Sequence, residues 1–279
     1  MSGGGTLDTD GSLGEGGPLD AGGGRGEGGG RDSLFRYLLR LGDASLILGQ
    51  RLGEWVGHGP ALEEDLGLAN IALDLLGQAR LLLAYAGEVE GRGRGEDDLA
   101  FLRSQDEYAN PTLVEQPNGD FGDTMVRQTL MDAFQLELFT GLADSADERL
   151  AAIAEKSVKE TRYHLRYSSS WLERLGDGTE ESHRRVQASL ERLWPYTVEL
   201  FSQDDLDREM AERGIAPPLA QVRASWSARI DGVLAAATLE RPRDRPYTWF
   251  GKRGEHSEHL GYLLAEMQYL QRTHPGARW

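Results

Sequence analysis

Cysteine is absent from the 279 residues. That excludes disulfides, thiolate-ligated zinc, iron–sulfur clusters and thiol nucleophiles, and it agrees with a reducing, cytoplasmic setting. Positive charge is scarce: 30 Lys and Arg stand against 46 Asp and Glu, a formal net charge of -16. A nucleic-acid binder draws most of its affinity from Lys and Arg on phosphates, so no nucleic-acid partner is expected. No uninterrupted apolar run approaches the roughly 18 residues of a membrane span, and the N-terminus lacks a charged-then-apolar leader, so no membrane association is expected. Also missing are convincing strand runs, a phosphate loop, and a dinucleotide-binding glycine pattern.

What is present is helical periodicity behind a glycine-rich start. Residues 1–30 hold 14 of the 36 glycines and few large apolar side chains. Such a stretch buries too little apolar area to offset its backbone entropy, and it reads as a disordered Gly/Asp-rich tail. From Asp32, a candidate N-cap, Leu34, Leu38, Leu41, Ser45, Leu48, Leu52 and Trp55 recur at spacings of four and three, the stripe of one long helix. Gly57-His58-Gly59-Pro60 ends it. The next helix, about 61–86, is apolar nearly all round and is expected to be the central one. Further helices are predicted at 97–108, 121–143, 146–175, 180–202, 217–238 and 256–273, with a long loop at 240–255. The class is all-α: one domain over 31–279, four long helices as a bundle and additional C-terminal helices. The apolar breadth of the first two helices, with Trp55, Trp171, Trp194, Trp226 and Trp249, predicts apolar surface left over for a partner.

The informative residues are polar ones on faces that should be dry: Asp43 in the first helix, Asn70, Asp74 and Gln78 in the second, Asp132 and Glu137 in the third, Glu160 and His164 in the fourth. One acid on each of four helices is how a bundle builds a carboxylate-bridged two-metal site. Each also reads as an ordinary residue. Asn70, Asp74 and Gln78 suit a solvated edge, Asp43 and Asp132 suit caps or water-facing positions, and Glu160 with His164 suits an i,i+4 pair. The two-metal pattern requires Glu-x-x-His on two helices. Here Gly77 follows Asp74 where the His belongs, and Tyr163 follows Glu160, with His164 one residue, about 100°, late. Asp43, Asp74, Gly77, Asp132, Glu160, Tyr163 and His164 therefore read as vestigial di-iron positions, with no metal and no catalytic residue assigned to this chain. Without metal, Asp43, Asp74 and Glu160 require partners inside the bundle. Lys159, Arg162, His164, Gln50 and Gln78 are nearest by helix position. Glu255-His256-Ser257-Glu258-His259 resembles a metal run but opens a helix, where acids suit the dipole. Arg241, Arg243, Arg245, Lys252 and Arg253 gather positive charge, either as a solvated loop or as an anion or partner contact.

The stretches LRLGDASLILGQRLGEWVGHGP, LANIALDLLGQARLLLAYAG, VEQPNGDFGDTMVRQ, VKETRYHLRYSSSWLERLGDGT and EHLGYLLAEMQYLQRTHPGARW resemble the structural C-subunit family of the bacterial ring-1,2-phenylacetyl-CoA epoxidases, phenylacetic acid degradation proteins of the PaaC type. The resemblance runs from about Leu34 to Trp279 and leaves out the tail. It implies a ferritin-like bundle and a non-catalytic subunit in a hetero-oligomeric monooxygenase complex of the cytoplasm. It implies that the di-iron centre lies in a partner A subunit, and that NADPH, FAD and an Fe–S cluster belong to a reductase subunit of the complex, with no cofactor bound by this chain. The complex converts phenylacetyl-CoA and O2 to the ring-1,2-epoxide in aerobic phenylacetate catabolism. Two rival readings stay open on the residues alone: a self-sufficient di-iron oxygenase using its own bundle carboxylates, and a helical scaffold for another partner.

Overall fold

In a computed structural model, residues 25–277 are described. Residues 1–24 of the expected tail lie outside them. The chain is all-α, with no strand among the described residues. The four long helices are α1 (Arg25–Gly53), α2 (Leu62–Glu90), α4 (Phe121–Leu142) and α5 (Glu148–Gly176). A short α3 (Glu96–Phe101) lies between the two pairs. Then follow α6 (Glu180–Leu193), α7 (Thr197–Leu200), α8 (Asp205–Glu212), α9 (Leu219–Ala236), α10 (Glu258–Met267) and α11 (Tyr269–Thr273).

α1 and α2 form one antiparallel hairpin, and α4 and α5 form the other. Small residues set the first register: a Cβ on Gly42 would touch Leu83 and one on Gly49 would touch Leu75. α6 and α9 pack on α4. The helix starts follow local chemistry. Asp120 caps α4 by accepting from the Asp123 amide at 3.0 Å, and the Asp123 carboxylate accepts from the Asp120 amide at 3.0 Å.

Several boundaries differ from the periodicity. α1 begins at Arg25, so Asp32 lies inside the helix and caps nothing, and residues 25–30, assigned to the tail, belong to α1. The expected helix over 180–202 breaks at Trp194–Tyr196 into a 3-10 turn, since Pro195 has no N–H to continue an α-ladder. α8 is too short for apolar periodicity to reveal, although Asp204 and Asp207 spell a capping box at its start. Residues 102–119 are mostly irregular rather than the tail of a helix, with Gly119 in the left-handed region at φ 59.

α2 is not the central helix; α1 and α4 are the enclosed ones, with residues 124–136 of α4 all buried. Residues 37–49 of α1 are buried on every side. α2 keeps Leu62, Leu66 and Leu73 exposed. Apolar composition alone misleads because the polar residues Arg40, Asp43, Ser45 and Arg51 of α1 find partners inside the protein, while α2 keeps an apolar face toward solvent. By length and composition α2 is long and apolar enough to cross a membrane. Asp74 and Arg80 interrupt it, so no unbroken apolar run marks it in the sequence. Its inner side packs along α1 as core.

Two of the three α2 glycines make opposite predictions. A Cβ at Gly87 would run into the Arg94 carbonyl oxygen, whereas a Cβ at Gly77 would meet nothing. Gly87→Ala is expected to destabilise the chain by about 1–3 kcal/mol. Gly77→Ala is expected to stabilise it by about 1 kcal/mol, through helix propensity. Urea denaturation of both variants checks the pair.

Candidate functional site

Each interior acid has its own answer to burial. Asp43 is fully buried and ion-paired with Arg103, whose side chain is also buried. The guanidinium spans both carboxylate oxygens, with Nη1 to Oδ2 at 3.0 Å and Nη2 to Oδ1. The Ala109 amide donates to Oδ2 at 2.9 Å. Arg103 in turn donates to the Glu107 carbonyl at 2.8 Å and lies over the Tyr108 ring, 4.2 Å from its centre. A buried bidentate pair with its remaining groups satisfied is the arrangement in which ion-pair attraction offsets desolvation.

Asp132 has no cation. It is fully buried and accepts from Gln128 Nε2 at 2.6 Å and lies 2.7 Å from Ser168 Oγ. Burial raises its pKa to about 8 against the weaker pull of those hydrogen bonds. Ser168 Oγ donates to Asp132 Oδ2, and a pKa near 8 favours the neutral carboxyl at pH 7.

Asp74 and His164 meet across the α2–α5 seam, Oδ2 to Nε2 at 3.1 Å. His164 is fully buried, and burial lowers its pKa despite the neighbouring Asp74 and Glu160 charges. Glu160 accepts from Gln78 Nε2 at 3.0 Å and pairs with Lys156 at 3.0 Å. Of the partners predicted by helix position, His164 and Gln78 serve. Lys159, Arg162 and Gln50 do not, and Arg103 and Lys156 take those roles. Gly77 faces open space, and Tyr163 is exposed beside the seam. Asn70 is exposed and Glu137 pairs with Arg229 at 2.6 Å.

A two-metal centre needs convergent, ionised donors with free lone pairs. Among the described residues no three His, Asp or Glu side chains converge on one point. Asp43 is occupied by Arg103, Asp132 holds a proton, and Gly77 supplies no ligand. These side chains as placed do not fit a di-iron ligand set.

A second layer of buried acids escapes sequence reasoning. Glu115 is fully buried and accepts from Asn110 Nδ2 at 2.9 Å, His256 Nδ1 at 2.6 Å, and the Ser257 amide and hydroxyl at 2.8 and 2.6 Å. Burial opposes protonation of His256, but the Glu115 hydrogen bond and charge outweigh it, and its pKa is raised. His256 is therefore a clasp on Glu115, which accounts for its place in the 255–259 run. Glu199 is likewise buried, accepting from the Thr112 amide and hydroxyl and the Lys252 amide, with its pKa raised by burial. The signals are slight: Glu115 and Glu199 stand singly among apolar residues without helical repetition.

The basic loop divides. Lys252 is buried, bonded to Asp207 at 3.2 Å and the Ser202 carbonyl at 2.9 Å. Arg40 joins that cluster through Asp204 and Asp207, both at 2.7 Å. Arg253 lies 3.9 Å from Asp204, and Arg241 pairs with Asp231 at 2.5 Å. Arg243 and Arg245 are exposed. The five cations form no single anion-binding cluster.

Arg103→Ala strands Asp43 in the core and is expected to cost about 3–5 kcal/mol in urea denaturation, with Arg103→Lys recovering only part. For Asp132, a raised folded-state pKa means stability fully present below the unfolded value near 3.8 and lost as pH rises through about 8. Asp132→Asn is therefore expected to have little effect at pH 5 and to raise the melting temperature relative to the parent at pH 8.5. Parallel melting curves from pH 5 to 9 check the divergence.

The comparisons with known proteins agree with this chain's motifs. Residues 27–279 match the family described as phenylacetic acid catabolic protein. The chain is 53% identical over 248 residues to the C subunit of the 1,2-phenylacetyl-CoA epoxidase of Escherichia coli (strain K12), an alignment covering 89% of this chain and 100% of that relative. The chain belongs to the phenylacetic acid catabolic protein family.

Proposed function

We propose that this chain is the non-catalytic, structural C subunit of a ring-1,2-phenylacetyl-CoA epoxidase, paired in the cytoplasm with a di-iron A subunit. The observation that carries the reading is the similarity, over the whole length of that relative, to the C subunit of such an epoxidase. It is supported by a bundle interior whose acids are taken up by Arg103, a retained proton, His164, Gln78 and Lys156. The chain then places no group on the reacting atoms. Its contribution is a rigid helical body against which the partner is held.

The iron of the A subunit supplies the oxygen chemistry, and the reductase supplies electrons from NADPH through FAD and an Fe–S cluster. A retained proton on Asp132 and an occupied Asp43 suit a bundle that keeps its fold without metal. The four-helix architecture is the one on which carboxylate-bridged sites are built, so the loss of function is local to the ligands.

Two measurements test the proposal. The chain is purified alone and assayed for iron, then co-expressed with the A subunit and assayed for a stable complex and for epoxidation of phenylacetyl-CoA. The expected result is no stoichiometric iron in the isolated chain, co-purification with the A subunit, and turnover only by the complex with its reductase. About two irons per isolated chain, the content of a complete bundle site, would instead favour a self-sufficient oxygenase. Failure to bind the A subunit would leave a helical scaffold for another partner.

A further inference from the structure

His256 stands at the entry to α10, and the bonds of its ring fix its protonation state. Nε2 lies 2.9 Å from the Tyr108 carbonyl, which can only accept, so Nε2 carries a hydrogen. Nδ1 lies 2.6 Å from Glu115 Oε1. That bond needs a hydrogen either on Nδ1 or on Glu115. The carboxylate has no place for one. Oε1 also accepts from Asn110 Nδ2, and Oε2 accepts from both the amide and the hydroxyl of Ser257. With His256 these donors fill the roughly four lone-pair sites of the two oxygens. The pair is therefore an imidazolium on a carboxylate, both side chains fully buried.

The groups around the pair leave His256 as its titrating member. Arg51 of α1 reaches the Glu115 backbone carbonyl at 2.6 Å and keeps its charge. Glu199, joined to the same segment through Thr112, adds negative charge that favours the imidazolium. The phenols of Tyr108, Tyr196 and Tyr247 are all pushed up by burial and stay neutral. Burial lowers the pKa of Lys252, but its ammonium is turned to Asp207 and the Ser202 carbonyl. On the histidine's own segment Glu255 and Glu258 are exposed.

α10 and α11 form a thin layer beyond this pair. Leu260, Leu263 and Leu264 face inward, while Tyr262, Tyr269 and Leu270 are exposed. Gln268 Nε2 donates to the Arg103 carbonyl and the Tyr108 hydroxyl, both at 3.0 Å, and Arg272 Nη2 donates to the Arg103 carbonyl at 2.7 Å. These ties run to the same irregular segment that His256 and Ser257 grip. A layer with few buried apolar contacts opens locally at a lower cost than the bundle does.

We infer that α10–α11 is a proton-held strap, which lifts from residues 101–115 as a unit when His256 loses its proton, ahead of any opening of the bundle. A neutral imidazole has one N–H, so either tautomer turns a lone pair toward an acceptor and strands one buried bond. The sign follows from the raised pKa of the folded state. The stabilisation is fully present below the unfolded value of 6.5 and is lost as pH rises through the folded value. Between the two, one proton leaves on opening, and the opening equilibrium rises by up to about tenfold per pH unit. The inference is independent of the subunit reading.

The test is made on the full chain carrying Asp132→Asn, which removes the pH dependence of the bundle derived above. Ring resonances of labelled histidine are followed from pH 6 to 9, with His256 assigned by His256→Gln. Amide hydrogen exchange is measured over the same range as protection factors, which take out the intrinsic pH dependence of exchange. His256 is expected to titrate above 6.5. Protection of residues 258–273 is expected to fall by up to about tenfold per pH unit in step with it, while α4 and α5 keep theirs. In His256→Gln the strap is expected to be weakly protected at every pH. Should that variant fail to fold, the ring titration and the protection of the parent still decide. Titration of His256 at or below 6.5 would overturn the inference, as would protection of 258–273 that stays flat while the ring titrates. Loss of protection shared equally with α4 would overturn it in favour of global unfolding. A fall out of step with the ring would overturn it in favour of Lys252 as the titrating group.

Discussion

A carboxylate at the centre of a helical bundle must be met by metal, by a cation or by a proton, because no interior can hold it bare. In this chain Asp43 is met by Arg103, and much of the architecture follows from how that guanidinium arrives. Arg103 comes from the segment just beyond α3, not from a bundle helix. To reach α1 the chain must leave helical geometry after Phe101, and it stays mostly irregular until Phe121. That segment then covers one side of α1 with Tyr108, Leu113 and Val114, all buried.

The same segment needs its own backbone groups satisfied. Arg51 of α1 donates to the Glu115 carbonyl through Nε at 3.1 Å and Nη2 at 2.6 Å. The Glu115 side chain is clasped by His256 and Ser257 from the entry to α10. Thr112 reaches Glu199, which also holds the Lys252 amide. The polar residues of α1, of the irregular segment and of the C-terminal loop thus form linked, buried networks. They explain how α1 can be enclosed along residues 37–49 while carrying Arg40, Asp43 and Ser45, with Arg51 just beyond. α2, which lacks such residues on its outer side, is left with leucines toward solvent.

The four long helices were legible because their apolar residues repeat at helical spacing and their ends carry strong punctuation. Pro117-Asn118-Gly119 before α4 is an example. The acids of interest were legible for the converse reason, polarity on a dry stripe. Their partners were not. Helix position brings His164 and Gln78 near the right acids, but Arg103 approaches Asp43 across 60 residues of chain, and no periodicity encodes that meeting. The 255–259 run shows the same limit: its composition suggests a metal, and only the placement of Glu115 gives His256 its role. Of the five tryptophans expected to add exposed bulk, Trp194 and Trp226 are core, while Trp249 is 59% exposed. Side-chain size does not say which loops will fold over it.

The central claim is that protein groups and a proton, rather than metal, neutralise the acids inside the bundle. An NMR titration of the chain labelled with 13C at the aspartate carboxyls tests it most directly, with assignments from Asp43→Asn and Asp132→Asn. The account predicts that the Asp132 resonance titrates near pH 8. It also predicts that adding ferrous iron leaves the Asp43, Asp74 and Asp132 resonances sharp. Ordinary acidic titration of Asp132, together with paramagnetic broadening of all three resonances by iron, would contradict it.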